Sequence, residues 1–368
     1  MKKFITLFLS AFMTLPLFAQ YNRQVRGNLV IPDLKGYVTL KCDFHIHTVF
    51  SDGVVWPTVR IDEVYKEGLD AISLTEHLEV RPYVYEKSVS HNRSYEIAKP
   101  AADAKEIILI RASEITRDMP PGHCNALFLT NSDELAKPDW RDAFRAAKAQ
   151  NAFIFWNHPG WWAQQPYTTE WWPEHTELME QGMLHGIEVA QYNTYYPEAH
   201  RWCLEKKLTM IGTSDAHESV RDEIDLYNWK NRTMTFVFAK ERTAESIREA
   251  LNERRTAVYA DEHVIGEEKY LKELFENALE WELEKIDNVV YITFKNKSDL
   301  TFRLRKGEHD PRLIYFRYSN LSPYIIEPQG VHTISVRFLD GVTSGDVNFI
   351  IENFLVEPNT GMRYVIKI

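Results

Sequence analysis

Residues 38–53, with the sequence VTLKCDFHIHTVFSDG, are the most informative segment of the chain. Its first part is typical of a β-strand, and the chemistry lies at its end, in Asp43, His45 and His47. Alternate residues of a strand share a face, so both imidazoles are expected to point the same way with the carboxylate beside them. Two imidazoles on one face can begin a divalent metal site, although a single such pair is weak evidence.

Outward from this stretch, short apolar runs alternate with helix-like segments up to about residue 260. The strand-like runs are Val38–Phe44, Asp70–Leu74, Ile107–Ile110, Asn125–Leu129, Ala152–Trp156, Gly186–Ala190, Thr209–Ile211 and Thr233–Phe238. The helix-like segments are Pro57–Glu67, Asp139–Gln150, Pro197–Lys206 and Ala244–Glu253. This alternation predicts parallel strands with crossover helices, and the number of units favours a β/α barrel over an open sheet.

The pattern changes near the C-terminus. After a helical segment at Lys269–Leu283, strand-like runs follow one another without helices between them, which predicts a small antiparallel β-sandwich. We therefore predict a leader at 1–19, a barrel at 20–268, a linking helix at 269–284 and a sandwich at 285–368. The last part has no cluster of titratable residues, which favours a packing, lid or attachment role.

The first 19 residues predict a secretory signal peptide. Lys2 and Lys3 precede an apolar run from Phe4 to Leu17, and a small residue, Ala19, ends the segment. The run is too short to span a bilayer comfortably, and no Cys follows it, so no membrane anchor is expected in the mature form. We expect a secreted or periplasmic protein, cleaved near Ala19.

Charge and cysteine content narrow the function classes. Loss of the two leader lysines takes the formal charge from −10 to −12, which disfavours a nucleic-acid polymer as partner. The three cysteines, Cys42, Cys124 and Cys203, have no spacing of a disulfide framework, and we expect no structural disulfide.

Metal-type side chains recur at the ends of the strand-like runs. They are His77, Glu114, His123, His158, Asp215 and His217, in addition to the first pair. In a β/α barrel the carboxyl ends of the strands converge on one face, so most of these residues should meet in space. His123 comes at the start of its run, so its loop must bring it over the mouth of the barrel. The recurrence predicts a metal centre.

The motifs that carry these residues are DFHIHTVFSDG at 43–53, GLDAISLTEH at 68–77, Gly122-His123 and SDAH at 214–217. Over roughly residues 38–260 the chain resembles the PHP family, the polymerase and histidinol phosphatase superfamily. The resemblance implies a distorted seven-stranded β/α barrel that binds two or three divalent ions, often Zn, Mn or Fe, and hydrolyses phosphate esters.

The resemblance also implies three ligand sets. The first ion would be held by His45, His47, Glu114 and Asp215, with Glu114 bridging to a second ion held by His123 and His158. His77 and His217 would hold a third ion, completed by Asp52. Asp52 is a substitute, because some family members have a His where this chain has Gly53.

The expected reaction is hydrolysis of a small phosphate mono- or diester by a hydroxide that bridges two ions. Asp215 would orient the nucleophile, and His217 would donate a proton to the leaving group.

Several residues are candidates for contacts around the metals. Arg81, Arg117 and Arg221 could clamp a phosphate, or be solvated surface residues. Glu76 and Glu188 could accept from the N–H groups of ligand histidines. The Trp-rich segment 156–172 could form a stacking wall for a sugar, a base or another flat group, or pack on the barrel or the sandwich.

Two alternatives remain open at this point. One is a metal-stabilised binding protein without catalysis, and the other is a metal hydrolase acting on a non-phosphate ester or amide. The presence of a competent side chain at every matched ligand position favours the phosphoesterase. The sequence does not indicate the oligomeric state.

Overall fold

The computed structural model describes residues 25–80, 90–223, 231–315 and 322–368. The predicted signal peptide at 1–19 lies outside these residues. No helix in the described part of the chain is long and apolar enough to cross a membrane. The three cysteines are free thiols, and all are buried.

The first domain is built from strands and helices that largely follow the predicted alternation. Its strands are β1 (Val38–Asp43), β2 (Ala71–Leu74), β3 (Ile108–Ile115), β4 (Cys124–Leu127), β5 (Phe153–Trp156), β6 (Gly186–Gln191), β7 (Thr194–Tyr195), β8 (Thr209–Thr213), β9 (Met234–Ala239), β10 (Thr256–Ala260) and β11 (His263–Gly266). Its helices are α1 (Pro57–Glu67), α2 (Arg93–Ala104), α3 (Trp140–Ala149), α4 (Pro173–Glu180), α5 (Pro197–Lys206), α6 (Val220–Glu223) and α7 (Ala244–Asn252).

The barrel sheet is mixed rather than wholly parallel. Strand β1 pairs in parallel with β2, as do β2 with β3, β5 with β6, and β6 with β8. Strand β4 runs antiparallel between β3 and β5, and β9 runs antiparallel beside β1. Only the segment 116–123 separates β3 from β4, which is too short for the dozen or so residues of a parallel crossover. These reversals distort the barrel.

Threonine side chains close the barrel where β8 meets β9 and β10. The hydroxyl of Thr235 accepts from the amide of Gly212 and donates to its carbonyl, at 2.9 and 2.8 Å. The hydroxyl of Thr256 donates to the carbonyl of Met210 at 2.9 Å. Side-chain hydrogen bonds thus satisfy backbone groups of β8 on the side away from β6.

The second domain is an antiparallel sandwich that begins earlier than the sequence predicted. Helix α8 spans Glu268–Ala278, and the chain then enters strand β12 at Leu279, so the predicted helix at 269–284 is too long. Its strands are β12 (Leu279–Ile286), β13 (Val289–Asn296), β14 (Phe302–Lys306), β15 (Leu313–Tyr315), β16 (Tyr324–Ile326), β17 (Val331–Phe338), β18 (Asp346–Glu357) and β19 (Thr360–Lys367). One sheet has the order β12-β13-β17-β15, and the other contains β16, β14, β18 and β19.

The second sheet of the sandwich is continuous with the barrel sheet. Strand β18 pairs in parallel with β11, with Val264 opposite Phe354 and Ile265 opposite Leu355. Helix α8 lies in the same apolar core as both domains, and its Phe275 ring contacts Tyr364 at a centroid distance of 4.7 Å. The α/β fold followed by an antiparallel domain is therefore confirmed, but the two domains share a sheet and a core.

Candidate metal centre

The predicted metal-type side chains lie around one end of the barrel. His45 and His47 follow β1, His77 follows β2, and Glu114 lies near the end of β3. His123 directly precedes β4, and because β4 runs antiparallel, its amino end lies at the same face as the carboxyl ends of its neighbours. The reversed strand, and not a reaching loop, brings His123 to the mouth.

Four ligand atoms form the innermost cluster. They are Nε2 of His45, Nε2 of His47, Oε2 of Glu114 and Oδ1 of Asp215. The two imidazole nitrogens are 3.0 Å apart, and each lies 3.0–3.2 Å from both carboxylate oxygens. Bonds of about 2.1 Å to one ion would place neighbouring ligand atoms about 3.0–3.4 Å apart. The spacing and the donor types fit a divalent ion.

Glu114 faces two clusters at once. Its Oε2 lies 3.3 Å from Nδ1 of His77, while its Oε1 lies 2.8 Å from Nδ1 of His123. These three side chains form a second group whose ligand atoms converge. Glu114 is thus placed to bridge two ions, as the resemblance implies, although the group contains His77 where His158 was expected.

His158 lies instead beside Asp215. Its ligand atom converges with those of His45 and Asp215, and the His158 ring stacks on the His45 ring at 5.9 Å. The two oxygens of Glu114 contact His77 and His123, whereas His158 lies near Asp215. The grouping of Glu114 with His123 and His158 stays a prediction, with the His123 and His158 rings 5.1 Å apart.

The third predicted group comes together as expected, with one addition. Oδ2 of Asp52 lies 3.2 Å from Nε2 of His77 and 3.3 Å from Nε2 of His217. His47 belongs to the same group. This part of the site is the most open, since more than a third of the Asp52 side chain is exposed.

The backbone explains why position 53 has no ligand side chain. A Cβ added at Gly53 would lie 2.7 Å from the carbonyl carbon of His47 and 2.8 Å from the amide nitrogen of Thr48. Backbone atoms cannot move aside cheaply, so this loop has no room for a side chain at that position. Asp52 is the adjacent residue that can supply the ligand.

The electrostatics of the centre require positive charge. Burial alone would lower the pKa of His47, but the neighbouring Asp215 and Glu114 carboxylates outweigh it and raise the pKa to about 10. Burial would raise the pKa of Glu114 and of Asp215, yet the surrounding imidazoles hold both pKa values well below the usual range. Two buried carboxylates among imidazoles form a site in which divalent cations can replace protons.

The close approach of buried ligand atoms supports the same interpretation. Oε1 of Glu114 lies 2.8 Å from Nδ1 of His123, and Oδ1 of Asp215 lies 3.0–3.1 Å from Nε2 of His45 and of His47. Nδ1 of His158 is buried and has no hydrogen-bond partner among the described residues. A buried polar atom without a partner is costly unless something else binds it, so metal ions fit the residues present.

Carboxylates behind the imidazoles fix their orientation. Glu188 is fully buried, and its Oε1 accepts from Nδ1 of His45 at 2.8 Å and from the hydroxyl of Thr213 at 2.6 Å. Its Oε2 accepts from the amide of His158 at 2.5 Å. A carboxylate that accepts from the outer nitrogen fixes the tautomer, and it leaves Nε2 of His45 free for a metal.

Glu76 acts through a hydroxyl rather than on an imidazole directly. Its carboxylate accepts from the hydroxyl groups of Thr48 and Ser51, at 2.6 and 2.7 Å. Ser51 lies in turn 3.3 Å from Nδ1 of His47. Asp43 does not face the ligand cluster. Its carboxylate accepts from the amide and the hydroxyl of Ser214, in the loop that carries Asp215.

A buried arginine joins two of the loops that carry ligands. The guanidinium of Arg60, on α1, is fully buried and donates all five of its N–H groups. Its acceptors are the carbonyls of His47, Ala216, His217 and Glu218 and the carboxylate of Glu63. Arg60 therefore holds the loop after β1 against the loop after β8.

The ligand clusters open into a cavity of about 410 Å³. Besides the ligands, the cavity is lined by Val80, Thr116, Trp161 and Gln191. Gln191 donates to Oδ2 of Asp215 at 3.0 Å, and Thr116 contacts Nδ1 of His77 at 2.5 Å. No Arg or Lys among the described residues lines this cavity.

Of the predicted phosphate clamps, the two that lie in the described residues, Arg117 and Arg221, do not line the cavity. Arg117 forms an ion pair with Glu79 at 2.7 Å and donates to the carbonyl of Lys137, which commits its guanidinium elsewhere. Arg221 is exposed on the short helix α6 and does not line the cavity. Arg81 lies outside the described residues.

The Trp-rich segment divides into packing and cavity residues. Trp156 and Trp171 pack with Trp202 and His175, at centroid distances of 3.8–6.3 Å. Trp161 lines the cavity. The packing hypothesis therefore holds for Trp156 and Trp171, while the stacking hypothesis stays a prediction for Trp161.

Sequence reasoning missed Arg60, Gln191, Thr116 and Thr213. Only Arg60 gave a signal, because it lies at helical spacing among Pro57, Ile61 and Val64, which form the buried face of α1. The other residues are polar side chains at strand ends or in loops, with nothing in the sequence to distinguish them.

The protein is thus a β/α barrel with a candidate metal centre and a C-terminal sandwich. A two-domain protein from Bacteroides vulgatus ATCC 8482, described as containing a predicted PHP-like metal-dependent phosphoesterase, is 51% identical. The match covers 94% of this chain and 99% of that chain, with a TM-score of 0.91. The chain belongs to the PHP-like family.

Residues 280–367 also match the model of the DUF5001 family, an Ig-like domain. Two other solved structures are more distant. A candidate metal-dependent phosphoesterase from Bifidobacterium adolescentis is 16% identical, with a TM-score of 0.39 over 48% of this chain and 87% of that one. An amidohydrolase from Chromobacterium violaceum is 15% identical, with a TM-score of 0.37 over 49% and 89%. No curated protein matches.

Proposed function

We propose that the protein is an exported metal-dependent phosphoesterase that hydrolyses a small phosphate mono- or diester. The observation that carries this proposal is the convergence of the predicted ligands on one cavity, with the Glu114 carboxylate shared between two clusters. Its relative is itself described as containing a predicted phosphoesterase. Export rests on the sequence of residues 1–19, and cleavage would leave Gln20 as the first residue.

His45, His47, His77, His123, His158 and His217, with the carboxylates of Asp52, Glu114 and Asp215, would hold two or three Zn, Mn or Fe ions. When bound, such ions supply Lewis acidity for the phosphate oxygens and lower the pKa of water. The cavity wall supplies no described cation, so the phosphate group would depend on these ions for charge neutralisation.

In this proposal Asp215 would orient the attacking group. Its Oδ2 is fixed by Gln191, while its Oδ1 stays inside the ligand cluster. Because this carboxylate ionises readily among the imidazoles, it remains an acceptor and does not serve as an acid.

The two roles proposed for His217 compete for one atom. Its Nδ1 donates to the carbonyl of Asp215 at 2.8 Å, so only Nε2 faces Asp52 and the cavity. Nε2 can bind an ion or hold a proton for the leaving alcohol, but it cannot do both at once. The proton-donor role therefore requires the third site to be empty.

The test uses mature protein, residues 20–368, loaded in turn with Zn, Mn or Fe. Hydrolysis of an aryl phosphomonoester is compared with hydrolysis of the matching diester. Asp215→Asn keeps the shape of the side chain and should lower kcat/KM by more than about a hundredfold. Asp142→Asn, on the exposed face of α3, is the matched surface control.

Activity that is lost in Asp215→Asn and kept in Asp142→Asn supports the phosphoesterase, and the preferred ester defines the reaction. Metal binding without hydrolysis of either ester would contradict it and favour a binding protein or a hydrolase of another bond. Export is tested separately, since N-terminal sequencing of the secreted protein should begin near Gln20.

A further inference from the structure

Trp161 is a partly exposed aromatic side chain in the described wall of the metal cavity. It follows His158, Pro159 and Gly160, lines the cavity, and is 38% exposed. Its ring makes edge contacts with the His123 and His158 rings, at centroid distances of 5.5 and 5.3 Å. The position of the indole is therefore set directly by two candidate metal ligands.

The loop that presents Trp161 is held by its own hydrogen bonds. The amide of Trp161 donates to the carbonyl of His158 at 2.9 Å, and its carbonyl accepts from the amide of Gln165 at 2.8 Å. The buried side chain of Gln165 donates to the carbonyl of Pro159 at 2.6 Å. The indole is thus positioned in advance, which lowers the entropy cost of binding something against it.

Gly160 lets this loop pass close to the barrel. A Cβ at Gly160 would lie 2.8 Å from Oγ1 of Thr169 and 2.9 Å from a ring carbon of Tyr196. Tyr196 is itself buried, so it has little room to move. The close approach fixes how far Trp161 stands from the metal ligands.

The cavity is larger than a phosphate group requires. Its volume of about 410 Å³ lies within the range of sites that bind small organic molecules. Val80 adds a second apolar contact to the lining, beside otherwise polar and titratable groups. An indole face next to a phosphate-binding centre is suited to a flat ring, which gains stacking energy that an open-chain alcohol does not.

We propose that Trp161 is a binding platform for a ring in the alcohol part of the substrate, so that the substrate is a ring-bearing phosphate ester, such as a sugar phosphate or nucleotide. This inference rests on the proposed function. It assigns the metals to the phosphate and the indole to the ring, and it makes Trp161 a specificity-determining residue.

The first measurement compares phosphate esters of primary alcohols that differ in the ring. A hexose 6-phosphate and a nucleoside 5′-monophosphate carry a ring, and glycerol phosphate does not. Trp161→Ala should reduce the ratio of kcat/KM for a ring ester over glycerol phosphate by about fivefold to a hundredfold, mainly through KM. Trp161→Phe should restore most of the ratio for whichever ring is preferred.

Trp162→Ala is the matched control, because Trp162 is the next residue, is 76% exposed and does not line the cavity. It should leave the ratio within about twofold of the wild type. An unchanged ratio in Trp161→Ala would overturn the platform, and so would an equal loss on all esters, since that would show that Trp161 only supports the imidazoles.

The second measurement separates the platform from the reaction. Benzylphosphonate and ethylphosphonate cannot be hydrolysed at their carbon–phosphorus bond, so their affinities for metal-loaded protein can be compared by calorimetry. Tighter binding of benzylphosphonate that is lost in Trp161→Ala supports the platform even if no ester is hydrolysed, which would refute only the proposed function. Equal affinities in the wild type would overturn the platform even in an active phosphoesterase.

Discussion

Arg60→Lys should weaken both the fold and the metal centre, because the Arg60 guanidinium donates to backbone carbonyls in both of the loops that carry ligands. The five N–H groups of Arg60 all have acceptors, whereas a lysine ammonium has only three donors. At least two of the five acceptors therefore lose this donor, although the carbonyls of Ala216 and His217 also accept from the backbone amides of His47 and Val54. An acceptor left unsatisfied costs about 1–3 kcal/mol, so we expect the free energy of unfolding of the metal-free protein to fall by about 1–3 kcal/mol.

The same change should loosen the third group of ligands. Two of the acceptors are the carbonyls of His217 and His47, whose rings stack at 4.3 Å and approach Asp52 together. Residues that support metal ligands in this way typically contribute about 10–100-fold to affinity. Calorimetric titration with Zn or Mn should therefore show one weakened site of at least about tenfold lower affinity, beside sites that are less affected.

Arg255→Lys is the control for a general loss of stability. Arg255 is also a buried arginine, but it donates to the carbonyl of Phe238 and to Glu249, away from the metal ligands. The Arg255→Lys variant should have a lower urea midpoint than the wild type and the same metal affinity. Equal metal binding by the two variants would refute the idea that Arg60 assembles the centre, whatever their stabilities.

Three other changes test the remaining parts of the site and fold. Glu188→Gln should lower metal affinity by about 10–100-fold, because the carboxylate behind His45 is lost; unchanged affinity would contradict this role. Chelation should lower the free energy of unfolding by about 3 kcal/mol for each site filled at a hundredfold excess over Kd, and an unchanged urea midpoint would exclude folding-linked metal binding. Burial lowers the pKa of His175 to about 4 despite the Pro121 carbonyl, so its neutral form stabilises the fold above pH 6.5, and this contribution is lost toward pH 4. Between pH 8 and pH 4.5, the free energy of unfolding of His175→Gln, measured in urea, should therefore fall by about 2–3 kcal/mol less than that of the wild type. The same fall in both proteins would refute this explanation.

The sequence predicted the elements whose ends have strong local signals. Helices α1 and α5 begin at Pro57 and Pro197, where a missing N–H costs nothing, and the structure has both at the predicted bounds. The family and the two-part α/β and antiparallel architecture were also confirmed. Metal-type residues at successive strand ends could be recognised because a barrel brings such ends together.

The direction of β4 and the end of α8 could not be predicted from local pattern. A short apolar strand reads the same in either direction, and only the short connection after Ile115 favours reversal. Helix-compatible residues continue beyond Ala278, but pairing of Leu279–Ile286 with β13 converts them into a strand. Tertiary pairing outweighs helix propensity here, since propensities amount to less than about 1 kcal/mol per residue.

Which ligands lie next to each other depends on side-chain orientations, and these cannot be predicted from the sequence. Glu114 was correctly expected to face two clusters, but which imidazole meets each oxygen follows from side-chain rotation about buried strands. The buried guanidinium of Arg60 could have been suspected from its place on the apolar face of α1. Its four carbonyl partners could not, because carbonyls have no sequence signature.

The sheet that runs from the barrel into the sandwich has a mechanical and an evolutionary consequence. Turning one domain against the other would shear the pairing of Val264 with Phe354 and of Ile265 with Leu355, so the boundary cannot serve as a hinge. Loss of the sandwich would also leave β11 as an unpaired edge strand, which is prone to aggregation. The two domains are therefore expected to be inherited together, and exchange of the C-terminal domain for an unrelated one should be selected against.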